Sequence, residues 1–158
     1  MRTAAMSNIF NEDFRDFLAA LQLHAVRYVL VGGYSVILHG YSRTTGDLDI
    51  WVEKTAENYS RLVQAFHSFG MPVFGRSAAN FLDVTRFDVF TFGRPPVAID
   101  IMTSLKGLDF AAAYALASDR QVEGLTVRLI HYPHLRQAKA AAGRPRDQND
   151  LDNLPSPA

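Results

Sequence analysis

Val26 to Val31 is an almost unbroken apolar run, rich in β-branched and aromatic side chains and interrupted only by Arg27, and Gly32-Gly33 ends it. A run of this kind marks a strand buried on both faces, so the chain must build a sheet with cover on each side. The segment before it supplies one cover. From Asn11 or Glu12 to His24, Phe14, Phe17, Leu18 and Leu21 recur at three and four, which predicts an amphipathic helix. After the glycines, Tyr34 to His39 reads as a short helix closed by Gly40. Asp47 to Glu53 then alternates acidic or aromatic residues against Leu48, Ile50 and Val52 as a second strand.

Thr55 opens a helix that runs through Phe69 and stops at Gly70, with Asn58 weakly placed for a capping box. Arg86–Phe92 and Val97–Thr103 predict two strands joined through Gly93-Arg94-Pro95-Pro96, and Gln121–Glu123 with Leu125–Leu129 predict a smaller hairpin around Gly124. Tyr132 to Ala142 reads as a helix with Pro133 in its first turn and Gly143 after its end, and Pro145 opens another. The expected fold class is α/β or α+β: a mixed sheet flanked by helices, with two helices at the C-terminus. One domain over 1–154 and a flexible tail over 155–158 suit a length of 158 residues.

Composition narrows the function classes. At 48% hydrophobic and 20% charged the chain has the balance of an ordinary globular domain. No apolar stretch nears the roughly 18 residues of a membrane span, and no apolar leader segment is visible. No membrane partner and a cytoplasmic location are therefore expected. The absence of cysteine excludes disulfides, thiolate metal sites and thiol nucleophiles, which leaves oxygen and imidazole as metal ligands. The five histidines show no pairing at zinc-site spacing and read as structural. With a net charge of zero there is no global basic field. Of sixteen basic residues only Lys54, Lys106 and Lys139 are lysines; guanidinium forks suit phosphate, although a GC-rich coding bias accounts for the excess equally well.

The chemistry concentrates in Gly32-Gly33-Tyr34-Ser35 and in Arg43-Thr44-Thr45-Gly46-Asp47-Leu48-Asp49. In a strand Asp47 and Asp49 share one face, about 7 Å apart along the chain. Two such carboxylates suit Mg²⁺, a hard cation that completes its octahedron with phosphate oxygens and water. The glycines let backbone N–H groups approach a phosphate, and the helix that follows offers its unpaired N–H groups. Asp100 interrupts the otherwise apolar Val97–Met102 strand, where an unpaired charge is costly, so it needs a metal or a cation such as Arg43 or Arg86. Three carboxylates on neighbouring strands can hold two Mg²⁺ for phosphoryl or nucleotidyl transfer, with Asp100 placed as general base. Neither a dinucleotide fingerprint nor a P-loop is present.

Each residue also has a plainer reading. Asp47 and Asp49 could be solvated carboxylates at a strand start, and Lys139 an ordinary surface lysine among alanines. Arg146 and Asp150, at i and i+4, could pair on the last helix. Trp51 could stack a base but is more simply a core aromatic, and Asp83 and Asp88 fit edge or turn positions.

The glycine pair, the Arg-x-Thr-x-Asp-x-Asp run, the strand Asp100 and the tail Lys139…Arg144-Pro145-Arg146-Asp147…Asp150-Leu151 together resemble the DNA-polymerase-β-like nucleotidyltransferase superfamily. They look most like its abortive-infection, type IV toxin-like branch, and the resemblance runs from about Tyr28 to Leu154. It implies that Gly32, Gly33 and Ser35 hold the triphosphate, with Thr45 in support, and that Asp47 and Asp49 ligate both metals. Asp100 would ligate the catalytic metal and take the acceptor proton. Arg43 and Lys139 would touch phosphate, with Asp147 or Asp150 orienting Lys139. Tyr34, where a small residue often follows the glycines, and the lack of a large extra domain are departures.

The expected activity is Mg²⁺-dependent transfer of a nucleoside monophosphate from an NTP, ATP among them, to a hydroxyl. The acceptor is an RNA, a protein or a small molecule, foremost an RNA or a protein in a toxin-like role with a cognate protein partner. The alternative is a non-catalytic module of the same fold serving as one half of a toxin-antitoxin-type pair.

Overall fold

The computed structural model describes residues 9–70, 81–82, 89–94 and 97–156. Its elements run α1 (Glu12–Leu23), β1 (Tyr28–Val31), α2 (Gly32–Leu38), β2 (Leu48–Val52), α3 (Ala56–Phe69), β3 (Val89–Arg94) and β4 (Val97–Met102). They continue as α4 (Phe110–Leu116), β5 (Ser118–Val122), β6 (Leu125–Leu129), α5 (Tyr132–Ala142) and α6 (Pro145–Asn153). The strands form one mixed sheet in the order β3-β4-β2-β1-β6-β5. β1 lies antiparallel to β2 and parallel to β6, β2 lies parallel to β4, and β3–β4 and β5–β6 are antiparallel pairs. The expected mixed sheet flanked by helices is the fold observed.

All four residues of β1 are buried, as a strand near the centre of a covered sheet requires. The register assigns the two faces. Leu30, Ile50, Ile101 and Phe90 lie level with one another and point one way, and α3 covers that side through Phe66, whose ring lies 4.8 Å from that of Phe92. Helix α1 packs on α3 through Phe17, 5.6 Å from Phe66. Fully burying a phenylalanine is worth about 1.5–3 kcal/mol, so these rings are a principal source of cohesion on this face. The opposite face carries Val31, Asp49, Trp51, Asp100 and Met102. There α4 covers Trp51 through Phe110, at 5.2 Å. Trp51 is thus a core aromatic.

Local chemistry sets the boundaries. Asn11 accepts the Phe14 N–H at the start of α1 and Thr55 accepts the Asn58 N–H at the start of α3. Gly70 and Gly143 close α3 and α5 in left-handed conformations. Helix α2 begins at Gly32 rather than at Tyr34, because Gly32 at φ +71° turns the chain off β1 at once. Helix α4 is not among the predicted elements; Asp109 caps it by accepting the Ala112 N–H ahead of its run of alanines. The predicted strand from Arg86 begins at Val89 in the described residues; Arg86, Asp83, Asp88, Pro95 and Pro96 lie outside them.

Asn58 does not close a capping box. Its buried amide accepts the Arg27 N–H at 2.8 Å and donates to the carbonyls of Arg27 and Glu53 at 3.0 and 2.9 Å, tying α3 to the ends of β1 and β2. Asn58→Ala removes the side-chain partner of the Arg27 N–H and the Glu53 carbonyl, while the Arg27 carbonyl keeps the Glu53 N–H, and is expected to cost about 1–3 kcal/mol. Urea unfolding reads this as a lower midpoint at unchanged m-value; an unchanged midpoint contradicts it.

Candidate active site

At the end of the sheet where β1 runs into α2, Asp49 and Asp100 stand level on the parallel β2–β4 pair, with Val31 opposite Asp49 on β1. The β1–α2 turn presses against them. A Cβ on Gly32 would lie 1.9 Å from Asp49 Oδ2, and one on Gly33 would lie 2.3 Å from Thr45 Oγ1. The glycine pair is therefore a steric requirement: a carboxylate and a hydroxyl occupy the space that any side chain would need. Thr45 acts as the wall behind Gly33. Ser35 is fully buried, and its hydroxyl donates to the Gly32 carbonyl at 2.6 Å, so it braces the turn from within and does not line the cleft.

The electrostatics are unbalanced on the strand side. Burial pushes the Asp49 carboxyl up to about 7, and the charge of Asp100, a hydrogen bond between the two carboxyls and the charge of Asp47 act in the same direction, against Lys139. Asp100 also accepts the Thr91 hydroxyl at 2.7 Å. Neither cation considered for Asp100 pairs with it among the described residues: Arg43 goes elsewhere and Arg86 is not described. Asp47 lines the same cleft, with Oδ1 buried and without a hydrogen-bond partner. The structure thus brings Asp49 and Asp100 into direct contact and Asp47 onto the same wall. Among the described residues no three acidic or imidazole side chains are gathered into a ready cation cage. An orphaned carboxylate oxygen beside a like-charged pair still fits Mg²⁺, which needs only one or two protein carboxylates.

The opposite wall comes from the C-terminal helices. Lys139 on α5 is 8% exposed and lies 3.2 Å from Asp147 and 2.9 Å from Asp150, so both aspartates orient it rather than one. Asp150 also takes a two-pronged contact from Arg43, at 2.7 and 2.9 Å, so it does not pair with Arg146. Asp147 takes the Arg144 guanidinium at 2.6 Å and the Arg144 backbone N–H at 3.1 Å. Burial works upward on the Asp147 carboxyl, yet the hydrogen bonds from Arg144 and Lys139 outweigh it and hold it at about 2. Arg43, Asp150, Lys139, Asp147 and Arg144 thus alternate in sign along one chain of contacts. The sequence resemblance includes Arg144 in the tail motif without a role for it; its place before Pro145, three residues ahead of Asp147, is a helix-start signal.

Between the two walls lies a cleft of about 440 Å³, bounded by the glycine turn, residues 43–47, Asp49, Asp100, Lys139, Arg144, Arg146, Asn149 and Asp150. It is an open, polar trough whose floor is acidic and whose far side is basic.

Asp49 supports a test by pH. Its folded-state pKa of about 7 lies above its ordinary value, so ionising it opposes folding: the penalty is absent below about pH 4, grows between, and is complete above 7. Asn is always neutral. Asp49→Asn in EDTA is expected to raise the melting temperature at pH 8 by about 2–4 °C, the size of ~1 kcal/mol in a chain of this length. The gain should vanish toward pH 4; an equal or lower melting temperature at pH 8 contradicts the charge crowding.

No family model matches the chain, and no curated protein matches it. Among solved structures, the crystal structure of a "putative nucleotidyltransferase" from Thermotoga maritima superimposes with a TM-score of 0.60 at 18% identity, over 88% of each chain. At that identity the likeness speaks to architecture, and the chain has a nucleotidyltransferase-like fold.

Proposed function

We propose that this protein is a Mg²⁺-dependent nucleotidyltransferase, which moves a nucleoside monophosphate from an NTP to a hydroxyl and releases pyrophosphate. The observation that carries this reading is the contact of Asp49 with Asp100 beside a glycine turn that has no room for a side chain, across from a row of cations. Asp47, Asp49 and Asp100 would hold the metal. When bound, Mg²⁺ supplies charge neutralisation at the reacting phosphate and the departing pyrophosphate.

The chain's own residues do the rest. Asp100, whose carboxylate accepts the Thr91 hydroxyl, would take the acceptor proton. Gly32 and Gly33 offer a close backbone surface, which Ser35 and Thr45 stiffen. Because α2 has only seven residues, the work of holding phosphate falls on side-chain cations rather than on its dipole. Arg43, Lys139 and Arg144 are prearranged by Asp147 and Asp150 and face the trough. Charge placement of this kind acts without reorganisation when the phosphate arrives.

The sequence resemblance leaves an RNA, a protein or a small molecule as the acceptor, with a toxin-like role and a cognate protein partner going with the first two. The second reading, a non-catalytic module, is favoured by the pairing of Arg43, Lys139 and Arg144 with internal aspartates.

Thermal shift with Mg²⁺ and each of ATP, CTP, GTP and UTP separates the two. Ligand at a hundredfold excess over Kd is worth about 2.7 kcal/mol, a rise of several degrees. The enzyme reading expects this rise in the wild type, its loss in EDTA and in the Asp47→Ala/Asp49→Ala double variant, and transfer of α-phosphate label to an acceptor in a lysate. No rise with any nucleotide supports the module.

A further inference from the structure

A second cleft, of about 320 Å³, meets the polar trough at Gly32, Asp49, Asp100, Lys139, Arg144 and Arg146. From that shared edge the two diverge. The trough runs over the glycine turn toward Arg43. The second cleft runs over the end of β4, residues 104–106 and the inner face of α5, between Val89, Met102, Leu105, Ala138 and Ala142.

Its wall is built rather than incidental. Gln137 on α5 donates to the Gly107 carbonyl at 2.7 Å, the Leu108 N–H returns to the Leu105 carbonyl at 3.1 Å, and Gly107 sits so close to α5 that a Cβ there would lie 2.9 Å from Ala141. These contacts hold Lys106 at the rim. Lys106 and Arg146, both exposed, have no ion-pair partner among the described residues, unlike Arg43, Lys139 and Arg144.

We propose that this second cleft is the acceptor site, and that its occupant is a small aliphatic hydroxy acid. The inference rests on the nucleotidyltransferase reading. In an in-line displacement the entering and leaving oxygens lie on opposite sides of the phosphorus. With pyrophosphate over the glycine turn and Arg43, and the α-phosphate at Asp49 and Asp100, the hydroxyl enters from the second cleft. The acceptor oxygen bonds to the α-phosphorus, the bond from that phosphorus to the bridging oxygen breaks, its electron pair leaves with pyrophosphate, and the hydroxyl proton passes to Asp100. The cleft's lining selects the body of the acceptor. Beyond the edge shared with the trough it is aliphatic apart from Ser104, Lys106 and Asp147, the last already held by Lys139 and Arg144, and no aromatic residue among the described ones lines it for a base to stack on, which disfavours a splayed RNA end. The two unpaired cations at its rim complement a carboxylate.

Pantoate, which carries an aliphatic body, hydroxyls and a carboxylate, serves as probe. Saturation-transfer NMR is recorded with Mg²⁺ and a non-hydrolysable NTP analogue on the wild type, Ala138→Phe and Lys106→Glu, with isoamyl alcohol and a short single-stranded RNA as comparisons, and the NTP thermal shift is measured on the same samples. The proposal expects pantoate contact in the wild type, its loss in Ala138→Phe, binding about tenfold weaker in Lys106→Glu, weaker contact for the alcohol, and an unchanged NTP shift throughout. Pantoate contact that survives Ala138→Phe overturns it, as does RNA displacing pantoate. Loss of the NTP shift in Ala138→Phe also overturns it, by placing the nucleoside in the cleft. If no sample shows an NTP shift, the nucleotidyltransferase reading fails and the acceptor role with it, and Ala138-dependent pantoate contact then leaves a hydroxy-acid pocket alone.

Discussion

Two carboxylates, Asp49 and Asp100, are set side by side by the parallel pairing of β2 with β4 and pressed from the other side by the β1–α2 turn. Like charges in partly buried contact oppose folding unless one keeps a proton or a cation arrives. The surrounding structure follows from containing this pair. The apolar face of the sheet under α1 and α3 supplies cohesion, the glycines clear the space, and the C-terminal helices bring positive charge to the opposite wall.

That opposite wall links distant parts of the chain. Arg43, ahead of β2, grips Asp150 on α6 across 107 positions in sequence, and Asp150 in turn holds Lys139 on α5. A buried network of this kind contributes little net stability, because desolvation offsets most of the attraction, but it fixes geometry. Its effect here is to place α5 and α6 at a set distance from the sheet, and that distance defines both clefts. The two clefts share one boundary because the carboxylate pair lies under it.

Much of this was legible in the amino-acid order, where the signal is local. The β1 run, the glycine pair, the alternation around Asp49 and the caps at Asn11, Thr55, Gly70 and Gly143 depend on neighbours a few positions away. Asp100 stood out because a charge inside an apolar strand is anomalous wherever the strand lies. What pattern alone left open needed contacts between distant segments. Sequence spacing does not separate Asp147 from Asp150 as partner of Lys139, and both hold it. Arg146 and Asp150 have ideal helical spacing, yet Arg43 outcompetes that pair from the far end of the chain. Ser35 follows the glycines as a phosphate-binding hydroxyl would, but the early start of α2 turns it inward to the Gly32 carbonyl. Helix α4 carries its start signal in Asp109, but its seven residues are too short for apolar periodicity to mark it.

NMR titration of the aspartate side-chain carboxyl carbons in metal-free protein reads directly whether Asp49 and Asp100 crowd one another at the mouth of the sheet. One carboxyl, assigned to Asp49, is expected to titrate near 7 and to move down in Asp100→Asn. If Asp49 instead titrates in the ordinary range near 4, and Asp100→Asn leaves it there, the pair is not crowded and the active-site assignment fails with it.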